Sequence, residues 1–242
     1  MKCLILAAGY ATRLYPLTEN FPKPLLKVGD KTILDWLVDD LGDAVDGFVV
    51  ISNHKFAGHF RRWAAGKACP IEVVDDGTST NETRLGAVCD IQFALDALDI
   101  REDILVIAGD NVLDFSLRRF TDYALRQGTS CIMRYYEANP ARLSKSGVVE
   151  IDGEDRVLGM EEKPAEPRSN WCCPPFYYYT AADAARIAEG IAQGCATDAP
   201  GSYVAWLCSR SPVHAMEMPG RRYDIGSLES YHQVSEEFKG II

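Results

Sequence analysis

Hydrophobic residues in the first half of the chain fall into two alternating patterns. Short runs rich in Ile and Val, with little polar alternation, predict strands that are covered on both faces. They occupy residues 3–7, 47–52, 71–74 and 104–108. Apolar residues at helical spacing predict helices over 33–41, 56–65 and 85–98, and Ser116 can cap a further helix over 117–126. This alternation predicts a mostly parallel sheet flanked by helices.

The pattern changes after Gly128. Strand-like runs at 130–136, 147–151, 156–160 and 176–180 are separated by turn residues, and helical segments follow at 181–191 and 228–238. We therefore expect an α/β protein with a Rossmann-like mixed sheet and a smaller sheet-rich lobe. The sequence contains neither a low-complexity linker nor an internal repeat, so we expect a single domain over 1–242 with halves 1–128 and 129–242.

The net charge of the chain limits the classes of molecule that it is expected to bind. The chain has 25 Lys and Arg residues against 35 Asp and Glu residues, a formal net charge of -10. This excess of acidic groups disfavours binding to nucleic acid. If the substrates are anionic, positive charge must be concentrated in a pocket, which makes individual Arg and Lys residues informative.

Cysteines and apolar runs bear on the cellular compartment. The eight cysteines are scattered, with no C-x-x-C pair and no histidines at zinc-ligand spacing, so we expect reduced thiols. The first apolar run is short and is followed by Gly9 and Arg13, which favours a buried strand over a signal peptide. No stretch approaches the ~18 apolar residues of a membrane span. We expect a soluble cytoplasmic protein.

The strongest candidate for chemistry follows the first predicted strand. Residues 6–18 read LAAGYATRLYPLT, and residues 22–26 read PKPLL. In α/β folds ligands bind at the carboxyl ends of strands, where small residues let backbone N–H groups approach a phosphate or a base. Arg13 and Lys23 would add positive charge. The alternative is an ordinary surface loop with solvated cations.

A carboxylate follows the predicted strand at 104–108. Asp110 stands in the run Gly109-Asp110-Asn111, directly after the apolar residues. Mg²⁺ takes oxygen ligands and binds through one or two carboxylates together with substrate phosphates. Asp110 is therefore a candidate magnesium ligand, and a helix or turn cap is the alternative.

These segments resemble the signature of the sugar-phosphate nucleotidyltransferases, the family of glucose-1-phosphate thymidylyl-, uridylyl- and cytidylyltransferases. That pattern runs L-A-A/G-G-x-x-T-R-L-x-P-L-T, followed by P-K-P-L. Two further elements match in the family's own order, E-E-K-P at 161–164 and D-x-G at 224–226. The resemblance covers nearly the entire chain. It implies a GT-A-like nucleotidyltransferase fold, with nucleotide binding in 1–128 and acceptor binding in 129–242.

The resemblance also implies roles for the matching residues. Arg13 and Lys23 would hold the triphosphate and stabilise charge on the departing pyrophosphate, and Asp224 would share one Mg²⁺ with Asp110. The residues expected to bind the nucleotide from the first loop are Leu6, Ala7, Ala8, Gly9 and Thr12.

An acceptor site is implied in the second half. Glu162 would accept hydrogen bonds from substrate hydroxyls, and Lys163 would hold the acceptor phosphate and complete the catalytic set. Gly147 resembles the glycine under the bound sugar, and Tyr177 is a further candidate contact. An E-E-K run is also typical of a solvated surface, which is the alternative for Glu162 and Lys163.

Two departures from the family pattern leave the substrates open. The thymidylyl and uridylyl enzymes typically carry a glutamine after the third strand, and residues 75–86, DDGTSTNETRLG, contain none. Asn81, Thr83 and Gly86 are the candidates there, with UTP, dTTP and CTP all in play.

The second departure is at residues 171–177, WCCPPFY, where the family usually has an Asn or Thr before a glycine. The two prolines offer no backbone donor. A hexose 1-phosphate is favoured as the acceptor. The alternative is a phosphorylated alcohol or amine such as phosphocholine, held against aromatic side chains from Trp171, Phe176, Tyr177 and Trp206.

The sequence thus predicts a magnesium-dependent nucleotidyltransferase that acts on a nucleoside triphosphate and a small phosphorylated acceptor. An acceptor phosphate oxygen would attack the α-phosphorus in line, and pyrophosphate would leave. A homodimer is compatible with the sequence. One rival is a catalytically silent nucleotide-sensing homologue. Another is a dinucleotide-binding oxidoreductase, which needs G-x-G-x-x-G where Gly9 stands alone.

Overall fold

The computed structural model describes residues 1–241. Its strands in chain order are β1 Lys2–Leu6, β2 Lys27–Val28, β3 Lys31–Thr32, β4 Gly47–Ser52, β5 Ile71–Asp75, β6 Ile104–Ala108, β7 Asn111–Leu113, β8 Ser130–Tyr136, β9 Gly147–Ile151, β10 Val157–Glu162, β11 Trp171–Cys173, β12 Phe176–Tyr179, β13 Val213–Glu217 and β14 Arg222–Asp224. Its α-helices are α1 Ile33–Leu41, α2 His54–Ala64, α3 Ala87–Ala97, α4 Arg118–Gln127, α5 Pro140–Leu143, α6 Ala181–Ala184, α7 Ile187–Ala192, α8 Gly201–Leu207 and α9 Leu228–Glu237.

The chain forms two compact units. The first unit comprises Met1–Arg84, Ala108–Arg119 and the chain from Pro219 onward, and the second comprises Leu85–Ile107 and Phe120–Met218. The first unit is therefore assembled from three separate segments of sequence. The assignment of nucleotide binding to 1–128 and of acceptor binding to 129–242 stays a prediction.

A parallel sheet in the order β1-β4-β5 forms the centre of the first unit. Every residue of β4 is buried, which explains its continuous apolar sequence. The connections between these strands include the helices α1 and α2, as expected for parallel strands. A separate antiparallel pair, β7 with β14, brings the segment after Pro219 back to residues 111–113.

Helix α1 shows how local sequence determines an element of the first unit. Thr32 is its N-cap, and the Thr32 hydroxyl accepts from the backbone N–H of Asp35 while the Asp35 carboxylate accepts from the backbone N–H of Thr32. This reciprocal capping box begins the helix at Ile33. Gly42, with a φ of 45°, ends it in a conformation that glycine adopts without strain.

The second unit is built on a mixed sheet. Strand β12 pairs antiparallel with both β6 and β8, and β13 pairs parallel with β8. Beyond β8 the order continues through β11, β9 and β10, all antiparallel. Tyr177 and Tyr179 of β12 are fully buried and stacked, and Tyr203 of α8 packs edge-on against Tyr179. The expected α/β class with a mixed sheet and a sheet-rich lobe is confirmed.

One predicted helix is wrong as a single element. Residues 181–191 form two short helices, α6 and α7, separated at Ala185 and Arg186. Asp183 holds this corner, because its buried carboxylate accepts hydrogen bonds from the hydroxyls of Ser130 at 2.6 Å and Ser211 at 2.7 Å. These partners are distant in the sequence, so helical periodicity did not reveal the break.

None of the helices within residues 1–241 is long and apolar enough to cross a lipid bilayer. All eight cysteines are reduced thiols rather than disulfides, as the scattered spacing predicts. Burial raises the pKa of the Cys131 thiol to about 12 and that of Cys3 further, so neither thiol is reactive at neutral pH.

The stability of the first unit should depend on Asp35. Burial tends to raise the pKa of this carboxyl, but hydrogen bonds from Lys67, Thr32 and Trp63 outweigh burial and lower the pKa to about 2. A lowered pKa means that the stabilisation is complete above the unfolded value of about 4 and is lost as the pH falls through 2. Asp35→Asn should lower the free energy of unfolding at pH 7 by about 1–2 kcal/mol. Urea unfolding at pH 7 and pH 3 measures the difference, which should shrink at the lower pH.

Asp39→Asn on the same helix is the control for this prediction. Asp39 pairs with Lys31 at 2.7 Å on the surface, and such pairs contribute little to stability. Equal losses in both variants would contradict the role given to Asp35.

Candidate active site

The loop after β1 leads directly into a cavity of the first unit. Residues 7–11 follow the strand, and the backbone N–H of Ala7 still donates to the carbonyl of Ile51 at 2.9 Å. Ala11 adopts a left-handed conformation with a φ of 47°, and a short 3₁₀-helix, Thr12–Leu14, follows. The cavity has a volume of about 260 Å³, and its lining includes Leu6, Ala7, Gly9, Arg13, Lys23 and Asp110. Ala8 lies within this loop and is buried, and Thr12 is exposed; neither residue lines the cavity.

Lys23 brings a nearly buried positive charge to this cavity. It begins the 3₁₀-helix Lys23–Leu25, and only 7% of its surface is exposed. Its Nζ atom donates to Oδ2 of Asp110 at 2.7 Å. Positive charge is thus concentrated in a pocket, as the acidic composition requires of a protein that binds anions.

Gly109 determines where Asp110 lies. The backbone N–H of Gly109 donates to the carbonyl of Leu6 at 3.0 Å. A Cβ atom on Gly109 would meet Cγ2 of Ile5 at 3.0 Å and the Leu6 carbonyl oxygen at 3.3 Å. Any side chain here would force these neighbours to shift, so glycine at position 109 favours the close approach of this segment to the end of β1, next to Asp110.

Asn111 binds the second oxygen of the Asp110 carboxylate, and Arg222 in turn binds Asn111. The Nδ2 atom of Asn111 donates to Oδ1 of Asp110 at 2.8 Å, and Nη1 of Arg222 donates to Oδ1 of Asn111 at 2.6 Å. Asn111 is 1% exposed. Our sequence reasoning missed both residues, although each lies within two positions of a predicted metal ligand.

The pairing of β7 with β14 places Asp224 opposite Asn111, the residue that follows Asp110. Asp110 lines the cavity, as do Ile225 and Gly226, which follow Asp224. The assignment of both carboxylates to one metal ion stays a prediction. Both carboxylates are accessible, with 40% and 57% of their side chains exposed. Within residues 1–241 no three Asp, Glu, His or Cys side chains are grouped to hold a metal. Two carboxylates fit Mg²⁺, which takes its remaining ligands from phosphates and water.

The segment proposed to select the base forms hydrogen bonds between its own residues. Asp76 accepts from the backbone N–H and the hydroxyl of Thr78, and Thr83 bonds to Thr80 in a capping box around Asn81. The side chains of Asn81 and Thr83 are exposed, and neither lines the cavity described above.

Gly86 belongs to the second unit, where it is buried. A Cβ atom on Gly86 would lie 2.6 Å from the carbonyl oxygen of Thr197, and its φ is 92°. These two constraints explain the glycine through packing and backbone conformation. The assignment of Asn81, Thr83 and Gly86 to base recognition stays a prediction.

The predicted acceptor residues Glu162 and Gly147 face each other in the second unit. They are cross-strand partners at the ends of β10 and β9. A Cβ atom on Gly147 would come within 3.2 Å of Oε1 of Glu162, and one on Gly201 would come within 2.2 Å of the same atom. The carboxylate therefore occupies a slot between two glycines. Our sequence reasoning missed Gly201, for which the sequence carries no signal beyond the preceding proline.

Burial raises the pKa of Glu162, although Lys163 and the backbone N–H of Gly201 act in the opposite direction. Lys163 turns out of β10 in a left-handed conformation with a φ of 50°, which costs a non-glycine residue energy. Its side chain is exposed, and its backbone N–H donates to the carbonyl of Ser146 at 3.0 Å. Tyr177 is 1% exposed and packs in the core.

Two of the aromatic side chains considered as contacts for a cationic acceptor, Trp171 and Trp206, already pack against arginine side chains of this protein. The Arg134 guanidinium lies 4.4 Å from the centre of the Trp171 ring, and those of Arg210 and Arg186 lie 4.4 Å and 5.1 Å from that of Trp206. Phe176 and Tyr177 are buried. These four residues therefore do not form an open aromatic cage.

Comparison with known proteins places the chain in a family. A family model described as "Nucleotidyl transferase" matches residues 2–240. A glucose-1-phosphate thymidylyltransferase of Mycolicibacterium smegmatis is 34% identical over 203 residues, which are 80% of this chain and 67% of that protein. The bifunctional protein GlmU of Methanocaldococcus jannaschii is 30% identical over 174 residues, which are 70% of this chain and 38% of that protein. The chain thus spans about two thirds of the first relative's length and less of the second.

A solved structure shares the fold. The crystal structure of UDP-glucose pyrophosphorylase complexed with UDP-glucose matches with a TM-score of 0.81 at 22% identity, covering 97% of each chain. The expected nucleotidyltransferase fold is confirmed. The match over residues 2–240 and the order of the motifs show that this chain belongs to the nucleotidyl transferase family.

Proposed function

We propose that the chain is a magnesium-dependent enzyme that transfers a nucleoside monophosphate from a nucleoside triphosphate to a sugar 1-phosphate. The observation that carries the proposal is the Lys23–Asp110 pair at the cavity beside the loop after β1. A nearly buried cation and an accessible carboxylate are the groups that a triphosphate and its metal require. The relatives named for thymidylyl transfer support the same reaction class.

The bonds that change define the chemistry. An oxygen of the acceptor phosphate forms a bond to the α-phosphorus, the bond from the α-phosphorus to the bridging oxygen breaks, and pyrophosphate leaves with the electron pair. No side chain forms a covalent intermediate. The protein therefore contributes mainly positioning and compensation of negative charge.

Residues of the first unit would hold the nucleotide. Arg13 and Lys23 both line the cavity and would compensate charge on the β- and γ-phosphates. Leu6, Ala7 and Gly9 line the same cavity, so their backbone would contact the nucleotide. Mg²⁺ bound by Asp110 and Asp224 would neutralise charge on the phosphates during transfer.

Residues of the second unit would hold the acceptor. The Glu162 carboxylate, enclosed by Gly147 and Gly201, would accept hydrogen bonds from sugar hydroxyls, and the exposed Lys163 ammonium would bind the acceptor phosphate. The occupied faces of Trp171 and Trp206 remove the argument for a quaternary ammonium acceptor. A sugar phosphate is therefore the better candidate.

A screen of pyrophosphate release tests the proposal. The purified chain is incubated in magnesium buffer with ATP, CTP, UTP or dTTP, each combined with hexose 1-phosphates or with phosphocholine. Release should require one triphosphate, a sugar 1-phosphate and a divalent cation, and EDTA should stop it. No release with any pair, or release with phosphocholine alone, would contradict the proposed acceptor class.

Loss of either metal carboxylate should abolish turnover without unfolding the protein. Asp224→Asn removes a negative ligand from an exposed side chain, so the melting temperature should change little while pyrophosphate release falls at least about a hundredfold. Asp110→Asn should reduce release as much, and it should also lower the melting temperature, because the nearly buried Lys23 ammonium loses its charged partner. Asp30→Asn, at an exposed carboxylate between β2 and β3, is the matched control and should keep wild-type activity. Turnover retained by the Asp110 or Asp224 variant would contradict the metal site.

Removing the Lys163 side chain should raise the KM of one substrate only. Lys163→Ala is expected to raise the KM of the sugar phosphate about tenfold or more, because it removes a charged partner of the acceptor phosphate. The KM of the triphosphate should stay within about twofold, since that substrate is assigned to other cations. Initial rates with each substrate varied in turn measure both constants. Equal increases in the two KM values would refute the assignment.

Glu162→Gln should change stability and acceptor binding in opposite directions. Burial raises the pKa of Glu162, so its stabilising contribution is largest below the unfolded pKa of about 4 and is lost as the pH rises. The glutamine variant should therefore melt at or above the wild-type temperature at pH 7.5, with the advantage shrinking at pH 4.5. Its acceptor KM should nevertheless rise, because the charged acceptor of hydroxyl hydrogen bonds is gone. A lower melting temperature together with an unchanged acceptor KM would show that Glu162 is only structural.

A further inference from the structure

Asn53 joins the loop after β1 to the start of α2. It directly follows β4, its side chain is fully buried, and it is the N-cap residue of α2. The Oδ1 atom accepts from the backbone N–H of Phe56 at 3.0 Å, and Nδ2 donates to the carbonyl of Ala8 at 2.8 Å. Because a carbonyl can only accept and an N–H can only donate, these two partners fix the orientation of the amide.

The bond to Ala8 is not needed for capping. Asp and Ser cap helices through a single oxygen acceptor about as well as Asn does. What Asn adds is an N–H₂ group, and here that group reaches Ala8, which is 45 positions away in the sequence. The cap and the bond to the loop are therefore separable functions of one side chain.

The bond to Ala8 sets the direction of the next N–H group. The carbonyl of Ala8 and the N–H of Gly9 belong to one peptide plane, and in a trans peptide these two groups point in opposite directions. A carbonyl directed towards the buried Asn53 therefore turns the Gly9 N–H to the other side of the loop. Gly9 is exposed and lines the cavity, so this N–H is available to a ligand there.

The far end of the loop is held in the same manner. Thr18 is fully buried, and its hydroxyl donates to the carbonyl of Ala11 at 2.8 Å. The carbonyls on both sides of Gly9 and Tyr10 are thus bound by buried side chains. A loop fixed through its carbonyls presents its N–H groups without the entropy cost of ordering them on binding.

We propose that Asn53 is a positioning residue for the nucleotide, and that it directs the Gly9 N–H at a phosphate oxygen of the triphosphate. The inference rests on the proposed function, because it assigns the residue to the same nucleotide site. Asn53 itself does not touch the substrate, and it acts through the Ala8–Gly9 peptide.

Two substitutions separate positioning from capping. Asn53→Asp keeps the size and the helix cap but places a second carboxylate oxygen against the Ala8 carbonyl. Asn53→Ser keeps a cap without adding charge and is too short to reach Ala8. Both variants should bind the triphosphate about fivefold or more weakly, as expected when an oriented hydrogen bond is lost. The KM of the sugar phosphate should stay within about twofold.

The matched control is Asn139→Ser. Asn139 is the exposed N-cap of α5, where its Oδ1 accepts from the backbone N–H of Ala141 at 3.0 Å. Serine preserves that cap, so this variant should leave the binding of both substrates unchanged. Thermal melting of all variants identifies any that fail to fold, and Asn53→Ser provides the test if the buried charge of Asn53→Asp prevents folding.

Titration calorimetry with ATP, CTP, UTP and dTTP in magnesium buffer measures the affinity directly. If wild type binds a triphosphate and both Asn53 variants bind it equally well, the inference alone is wrong and Asn53 is only a cap. Equal losses for triphosphate and sugar phosphate also overturn it. If wild type binds none of the four triphosphates, the proposed function fails and the inference fails with it.

Discussion

Lys23 carries a positive charge that is almost removed from water, and the ion pair with the Asp110 carboxylate 2.7 Å away offsets the free-energy cost of that burial. A buried charge that loses its partner is strongly destabilising, so the position of each group depends on the other. Asn111 occupies the second oxygen of Asp110, and Arg222 holds Asn111. The loop after β1, the 3₁₀-helix at Lys23 and the pair β7–β14 are therefore linked at one carboxylate.

Glycine makes this arrangement sterically feasible. Gly109 lets Asp110 lie against the end of β1, and Gly147 and Gly201 leave room for the Glu162 carboxylate in the second unit. The two carboxylates differ in environment, however. Asp110 is partly open to solvent, which suits a metal ligand, whereas burial raises the pKa of Glu162 and suits a group that accepts hydrogen bonds from neutral hydroxyls.

Sequence patterns located most of the elements because those elements are encoded locally. The strands at 47–52, 104–108, 130–136 and 147–151 and the helix at 33–41 agree with the structure to the residue. Apolar runs between turn residues identify such strands, and the Thr32 capping box with Gly42 delimits the helix. The strands β2, β3, β7, β11, β13 and β14 and the helices α5 and α8 were missed. Strands of two or three residues and a helix of four have no periodicity to detect, and α8 is buried at nearly every position rather than amphipathic. Strand β13 has five residues and was missed although it is long enough to show a pattern.

The sequence alone determined the family, the α/β class and the residues that could carry charge to a phosphate. These properties depend on residue type and local spacing, which the chain displays directly. The tertiary structure decided which of these residues are partners. Lys23 and Asp110 are 87 positions apart, Asn53 reaches back to Ala8, and Gly201 encloses Glu162. Such contacts depend on strand order and register. Hydrophobic periodicity does not reveal either, because it records only which face of an element is buried.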